Sequence, residues 1–327
     1  MPQRNFLQYL TVTAKGLAMG AADVVPGVSG GTIAFISGIY EELIETIHKV
    51  DLGFFKTWKR QGFSTAWKDY NLSFLLALFL GVFISILSLA KLITWLLVAY
   101  PIMVWSFFFG LVIASILYVG KQVSSWRPSV IVVLVLAALV SYAITIADPI
   151  GSPDSTWFLF LAGFVAIIAM ILPGISGAFI LLLLGAYTAV IGIVTQLTEG
   201  LTSLNSTMVL EAMGKLLIFA VGAIIGLKVF SKALNWMFKH YKNLTLAVLT
   251  GFMVGALNKI WPWKEVLQYR INHAGEEIPF IEKSILPTNY SDNPQIVYAI
   301  IFAIIGFLTI FLLERFAAKD KAKNNTQ

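Results

Sequence analysis

Pro26-Gly-Val-Ser-Gly-Gly31, set within apolar sequence, recurs as Pro173-Gly-Ile-Ser-Gly-Ala178. Aligned at an offset of 147, the stretches 26–44 and 173–191 share 8 of 19 residues. Proline and glycine at membrane depth are tolerated only where the loosened backbone is buried in protein or lines a cavity. Such breaks in corresponding halves of a chain indicate the binding site of a transporter. The two phrases are therefore the first candidates for function.

The composition is that of an integral membrane protein. Of 327 residues, 58% are hydrophobic and 12% charged, and the mean hydropathy is +0.83, whereas soluble domains contain roughly 45–50% apolar residues. The lack of cysteine excludes disulfides, iron–sulfur clusters and thiol nucleophiles. The net charge of +6 does not indicate nucleic-acid binding, because the basic residues lie between apolar segments and form no stripe. Lys15 and Gly16 interrupt the first apolar run, so we expect no cleaved signal peptide.

Two sets of five apolar segments follow one another, and we predict an all-α polytopic membrane protein made of two inverted-topology repeats. Beyond the glycine phrase the duplication continues at an offset of 141, where Gly81 and Gly110 match Gly222 and Gly251. The arm before each break is short for a span of about 20 residues, so we expect a re-entrant hairpin. A hairpin leaves the chain on the side of the membrane where it entered. Three further spans then give each half an odd number of membrane crossings. An odd number of crossings inverts the second half relative to the first.

The predicted boundaries follow from these segments. The first repeat is 1–147, with a hairpin at 6–47, an interfacial segment at 48–72 and helices within 73–147. The second repeat is 148–327, with a hairpin at 157–197, helices within 216–314 and a basic C-terminal tail. With the N-terminus in the cytoplasm, 14 of the 23 Lys and Arg residues lie in inner stretches. Five lie in outer stretches, namely Lys215, Lys259, Lys264, Arg270 and Lys283. This positive-inside bias predicts that both termini are cytoplasmic.

Two further patterns concern packing and the membrane surface. The stretch 53–68 interleaves aromatic and basic residues, which is typical either of an interfacial helix on anionic lipid or of the ordinary flank of a span. Small residues four apart, which indicate close helix packing, occur at Gly16 and Gly20, Gly222 and Gly226, and Gly251 and Gly255.

The phrases themselves favour an anion. Proline lacks an amide hydrogen and glycine permits a tight turn, so a helix can end and another begin at Pro26-Gly27 and at Pro173-Gly174. Ser29 and Ser176 are natural N-caps. Each new helix would begin with unpaired amide donors and a positive dipole end, which suit phosphate or carboxylate. Because the hairpins enter from opposite sides, we expect their tips to meet near the bilayer centre.

The predicted phosphate-binding residues are Ser29, Gly30, Gly31, Thr32, Ser176 and Gly177, with Lys91 and Lys232 guiding entry or exit. The alternative is a pair of kinked helices that use Pro and Gly for packing alone. For each lysine the alternative is snorkelling to the interface, and Lys228 has the same two interpretations. The recurrence of serine and its flanking glycine in register favours the anion site, because packing alone does not require a cap at both places.

The remaining polar groups have open roles. Asp23 can pair with Lys15, cap a helix or titrate during transport. Glu41 and Glu42 can gather protons or face water, and we take them, with Asp23, as candidates for proton or ion coupling. Tyr40 and Tyr187 recur in register and are either interface anchors or hydroxyl donors. The serines of the phrases have no evident base, and no metal-ligand spacing occurs, so we predict no catalytic residue, metal or cofactor.

Gly20-Ala-Ala-Asp-Val-Val-Pro-Gly-Val-Ser-Gly-Gly-Thr32, followed by Gly38-Ile-Tyr40 and by Pro173-Gly-Ile-Ser-Gly177, resembles the bacterial and archaeal polyprenyl-phosphate translocases. The resemblance covers nearly the whole chain. It implies a multi-pass inner-membrane protein that returns undecaprenyl phosphate to the cytoplasmic leaflet for reuse in cell-wall and surface-glycan synthesis. The expected partners are the polyprenyl phosphate and the bilayer, and a proton or sodium is a candidate coupling ion that the resemblance does not decide.

The second copy of the phrase is less polar than the first. Ala178 and Phe179 stand where the first copy has Gly31 and Thr32, so unequal contributions from the two tips are expected. Two other functions stay open at this point. One is a transporter or channel for a small soluble anion, and the other is a membrane polyprenyl-pyrophosphate phosphatase.

Overall fold

The computed structural model describes residues 4–25, 28–149, 155–271 and 277–324. Its helices are α1 Phe6–Asp23, α2 Gly30–Ile36, α3 Tyr40–Lys49, α4 Gly53–Gln61, α5 Phe63–Asp69, α6 Leu72–Ala99, α7 Pro101–Gly120, α8 Pro128–Thr145, α9 Thr156–Ile171, α10 Gly177–Leu183, α11 Tyr187–Thr202, α12 Ser206–His240, α13 Lys242–Ala256 and α14 Ile296–Asn324. Two antiparallel strands, β1 Lys264–Ile271 and β2 Glu277–Ser284, precede α14. The predicted helical fold is confirmed, and the short β-hairpin is an addition that the sequence analysis missed.

Four of the described helices are long and apolar enough to cross a membrane: Leu72–Leu89 of α6, all of α7, all of α8, and α12. The pair α10 and α11 is also apolar enough when taken together, but it is bent by 108° at its break. Shorter apolar helices are α9, α13 and Ile296–Phe311 of α14. The prediction of a polytopic membrane protein is confirmed at this level.

Glycine contacts join the helices in pairs. α1 packs on α6, α9 on α12, α7 on α14 and α8 on α13. A Cβ at Gly16 would overlap the Leu78 carbonyl oxygen of α6, and a Cβ at Gly222 would overlap the Phe160 carbonyl oxygen of α9. A Cβ at Gly251 would likewise overlap the Leu134 carbonyl oxygen of α8. The predicted close packing at these glycines is confirmed, because their backbones approach to a distance that leaves no room for a side chain.

Each predicted hairpin has a second break that the sequence analysis missed, because it assigned a single break to each of 6–47 and 157–197. Gly38 has φ +73 and ends α2, and Gly185 has φ +69 and ends α10. This left-handed conformation favours glycine, which has no Cβ to clash with the backbone. The two glycines match at the offset of 147, and this recurrence is the sequence feature that could have predicted the second breaks.

The predicted interfacial segment folds as α4 and α5, joined at Gly62 with φ +87. No residue of α4 is buried. The aromatic rings of α4 and α5 contact one another along the segment, with Trp58 5.5 Å from Phe63 and Phe63 5.4 Å from Trp67 between ring centroids. The helical character of this stretch is thus confirmed. Its contact with anionic lipid stays a prediction.

Lys228 of α12 has a structural role at the end of α3. Its Nζ donates hydrogen bonds to the carbonyl oxygens of Ile47 (2.8 Å), His48 (3.0 Å) and Val50. These carbonyls are at a helix C-terminus, where no intrahelical donor is available and where a cation is favourable. Neither interpretation of Lys228 from the sequence, guidance of an anion or snorkelling to the interface, accounts for these contacts.

We expect Lys228→Met to destabilise the protein by about 1–3 kcal/mol, because the α3 carbonyls lose a charged donor. Lys232→Met is the matched control, since Lys232 lies one turn later on α12 and is exposed. Thermal unfolding in detergent measures both. Equal unfolding midpoints for the two variants would contradict the capping role.

Candidate functional site

The two glycine phrases lie against each other. The Gly174 amide donates to Thr32 Oγ1 at 3.0 Å, and Ser29 Oγ donates to the Met170 carbonyl at 3.2 Å. The Tyr40 hydroxyl donates to the Ile171 carbonyl at 3.1 Å, which makes Tyr40 a hydroxyl donor. The contact between the two tips is thus present among the described residues, and their position near the bilayer centre stays a prediction. Pro26 and Gly27, predicted to end the first helix, lie outside the described residues.

The amides that begin α2 already have acceptors within the protein. Gly30 N donates to Asp23 Oδ1 at 2.6 Å, and Gly31 N donates to Ser29 Oγ at 3.1 Å. Ser29 and Thr32 are both 1% exposed. Of the three roles open to Asp23, its contact with Gly30 is that of a helix cap. Its carboxylate therefore lies at the N-terminus of α2, where an anionic ligand would be expected. Ser29 is an N-cap as predicted.

The second tip differs from the first. Ser176 precedes α10, but its side chain makes no capping hydrogen bond. Gly177 is buried, and a Cβ there would stand 2.8 Å from the Ala166 carbonyl oxygen of α9. Ser176 instead faces a cavity.

This cavity, of about 690 Å³, lies between the tips and the β-hairpin. Its polar lining is Asp23, Thr94, Ser176, Tyr187, Lys259, Lys264, Glu282 and Tyr290. Its apolar lining comes from α6, α7, α10 and both strands, including Leu97, Val98, Trp105, Phe179 and Val266. A volume of this size is typical of ligand sites, which combine apolar walls with a few convergent polar groups.

Two lysines at the cavity were missed by the sequence analysis, which counted them as outer-loop charges. Lys264 Nζ stands 3.3 Å from the Trp105 ring centroid and 3.4 Å from Glu282 Oε2, and its side chain is 7% exposed. Lys259 Nζ stands 4.6 Å from the Phe179 ring centroid. Burial lowers the pKa of Lys264 to about 8, and burial also lowers the pKa of Lys259. The sequence feature that could have indicated these two lysines is their position on either side of Trp261-Pro-Trp263.

Other predicted site residues lie elsewhere. Lys91 and Lys232 are exposed on α6 and α12, and neither lines the cavity in the part of the chain that the structure describes. Glu42 accepts two 2.6 Å hydrogen bonds from Arg4. Glu41 pairs with Lys242 at 2.9 Å. Coupling through Asp23, Glu41 and Glu42 stays a prediction, as does guidance by the two exposed lysines.

A second cavity, of about 540 Å³, lies between α7, α8, α13 and α14. Its lining is almost entirely apolar, with Lys121 and Trp126 among the lining residues. None of the predicted site residues within the described ranges lines it, so the first cavity is the candidate site.

Comparison with known proteins decides the family. The family model described as VCA0040-like, undecaprenyl phosphate translocase-like, matches residues 19–278. The chain belongs to this family. The matched range includes both breaks, Asp23, Lys259 and Lys264, and ends before Glu282. The resemblance carried by the glycine phrases is therefore confirmed.

Two curated relatives of this family member are both named polyprenyl-phosphate transporter. One, from Vibrio cholerae, is 43% identical over 317 residues, which are 96% of this chain and 98% of the relative. The other, from Staphylococcus aureus, is 29% identical over 261 residues, which are 76% of this chain and 84% of the relative. No solved structure matches the chain.

Proposed function

We propose that this protein moves undecaprenyl phosphate, or a similar polyprenyl phosphate, to the inner leaflet of the cytoplasmic membrane for reuse in cell-wall and surface-glycan synthesis. One observation carries the proposal. The contacting hairpin tips border a cavity that joins apolar walls to Ser176, Lys259 and Lys264. The family membership and the names of the two relatives support the substrate class. The step is transport, with no covalent chemistry.

The physical problem in this transport is the headgroup. The prenyl tail can stay in lipid, whereas a phosphate monoester carries roughly −1.5 to −2 charges and an isolated ion in hydrocarbon costs tens of kcal/mol. The protein replaces the lost water with hydroxyls and amides at Ser29, Gly30, Gly31, Thr32, Ser176 and Gly177, and Lys91 and Lys232 guide the headgroup at either side. At the first tip, the phosphate displaces the Asp23 carboxylate from the Gly30 amide. Such an exchange of anions would couple transport to protonation of Asp23.

Alternating access follows from rocking of two inverted halves around the re-entrant tips. The equivalent contacts in each half support this arrangement: Gly16 packs on Leu78 as Gly163 packs on Phe219. The Arg4–Glu42 pair lies near the start of α1, and Asp23 ends α1 about 27 Å away. In this conformation the cavity is therefore at one end of α1 and the ion pair at the other. With both termini cytoplasmic, opening toward the inner leaflet separates Arg4 from Glu42.

A liposome assay of transbilayer movement of undecaprenyl phosphate tests the function. We expect the double variant Ser29→Ala with Ser176→Ala to lose at least tenfold in rate, because both tips lose a hydroxyl partner for the phosphate. Ser64→Ala, at an exposed serine of α5, is the control. Undiminished transport by the double variant would reject the site.

The same liposomes separate the alternatives. Uptake of labelled inorganic anions without lipid movement would indicate a transporter of small soluble anions. Release of inorganic phosphate from the polyprenyl diphosphate would indicate an enzyme. Either result would overturn the proposed function.

A further inference from the structure

We propose that Lys259 and Lys264, together with Trp105, form a receiving subsite for a phosphate monoester at the β-hairpin side of the cavity, separate from the glycine phrases. The inference rests on the proposed function in one respect, which is that the monoester is the headgroup of the transported lipid. It gives the cavity an entry step before the headgroup reaches the tips.

The charges at this end of the cavity are unbalanced. Lys259, Lys264 and Glu282 lie close enough to influence one another electrostatically, which leaves a formal charge of +1. Asp23, the other carboxylate of the lining, is engaged with the Gly30 amide. A buried cation is costly unless it is paired, and Glu282, which accepts a hydrogen bond from Lys264 Nζ at 3.4 Å, offsets one of the two lysine charges. An arriving phosphate supplies the missing negative charge.

The aromatic partners of the two lysines fit the same role. Trp105 faces the Lys264 ammonium at 3.3 Å and Phe179 faces that of Lys259 at 4.6 Å. A ring face stabilises a cation but leaves the other ammonium hydrogens free to donate. The rings thus hold both ammonium groups at the cavity without neutralising their charge.

The subsite is held in place by its surroundings. The Trp261 indole donates to the Ile285 carbonyl and the Trp263 indole to the Pro294 carbonyl, each at 2.8 Å. Ser284, which pairs with Lys264 across the two strands, donates to the Asn258 carbonyl at 2.8 Å. Lys264 therefore extends from a hairpin whose base is fixed to the end of α13, and the cost of ordering the lysine is met before a ligand arrives.

The cavity also gives the tail a route to lipid. Leu97 and Val98 of α6 line it, and Val98 is 78% exposed on the outside of the bundle. A headgroup at the lysines can thus leave its apolar chain passing Val98 into the membrane. A phosphate monoester on a lipid and free inorganic phosphate share the headgroup chemistry, and the apolar wall favours the lipid.

Binding to the purified full-length protein in detergent tests the subsite, with farnesyl monophosphate and inorganic phosphate as probes in isothermal titration calorimetry. We expect Lys264→Met and Lys259→Met each to weaken farnesyl monophosphate binding at least tenfold. Lys283→Met, at an exposed lysine of β2, is the control and should bind as the native protein does. Tighter binding of farnesyl monophosphate than of inorganic phosphate supports the lipid, and equal binding supports a soluble anion in its place.

Two further variants keep the test independent of folding defects. Glu282→Gln should bind several-fold more tightly, because the competing carboxylate charge is removed. Native affinity should fall as pH rises through about 8, since Lys264 loses its proton while the monoester, with a second pKa near 6, stays dianionic. Lys259, with its lowered pKa, adds to this fall, and the other charged groups that line the cavity are Asp23 and Glu282. Lys264→Arg should reduce the dependence on pH.

The outcomes for subsite and function are distinct. Native binding by both methionine variants, or an equal loss in Lys283→Met, would refute the subsite even if the serine double variant stops transport. Lysine-dependent binding by a protein that moves no lipid in liposomes would refute the proposed function and leave the subsite standing.

Discussion

Replacing Gly222 with alanine is expected to destabilise the protein by about 1–3 kcal/mol or more, because the new methyl group enters the Phe160 carbonyl of the neighbouring helix α9. A backbone carbonyl cannot rotate away as a side chain can, so α9 and α12 must separate along their whole contact. Such helix pairs associate through close backbone packing, without a hydrophobic driving force between apolar surfaces in lipid. Thermal unfolding in detergent measures the loss.

Gly214→Ala on the same helix is the matched control. Nothing lies within 4 Å of a Cβ at Gly214, and alanine is favoured over glycine in a helix by about 1 kcal/mol. This variant should be as stable as the native protein or more so. Gly81→Ala, which overlaps the Thr13 carbonyl between α1 and α6, should lose as much as Gly222→Ala if the halves are equivalent. Equal stability of the Gly214 and Gly222 variants would refute the packing argument.

Thr32→Val is expected to uncouple the two hairpin tips. Valine has nearly the shape of threonine, but it leaves the buried Gly174 amide without its acceptor, at a cost of about 1–3 kcal/mol. The variant should fold, because the rest of the tip contact is unchanged. It should lose transport of undecaprenyl phosphate in liposomes by about tenfold, since the tips no longer hold a fixed relative position and the phosphate loses one of its proposed hydroxyl partners.

Thr32→Ser keeps the hydroxyl and should restore most of the rate. Transport by Thr32→Val at the native rate would show that the contact between the tips has no part in the mechanism. A loss in both variants would instead assign the effect to packing of the threonine methyl group.

The features of the site that depend on neighbouring residues in the chain could be predicted from the sequence. Pro173, the repeated serine and the neighbouring glycines indicate a break from chain geometry alone, and their repetition points to two breaks that act together. The second breaks at Gly38 and Gly185 were also within reach, because the same two glycines recur in register. They were missed because an apolar run of about 20 residues fits a single span.

The cationic end of the cavity was not predictable in this way. Trp105 and Lys264 are far apart in the chain, and no pattern along it brings them together. Counting Lys259 and Lys264 as outer-loop charges did not indicate that both line a cavity. Conversely, Lys91 and Lys232 matched across the repeats, yet both are exposed on their helices.

The sequence by itself determined that the chain is a helical membrane protein, where one break lies in each half and which glycines pack, since each of these depends on residues within a few turns of one another. Only the tertiary structure decided which charges share a buried space. A lysine that contacts an aromatic ring and a carboxylate of the facing strand has its charge and its hydration set by neighbours from other parts of the chain. Those neighbours come together only once the β-hairpin has folded against the helix ends.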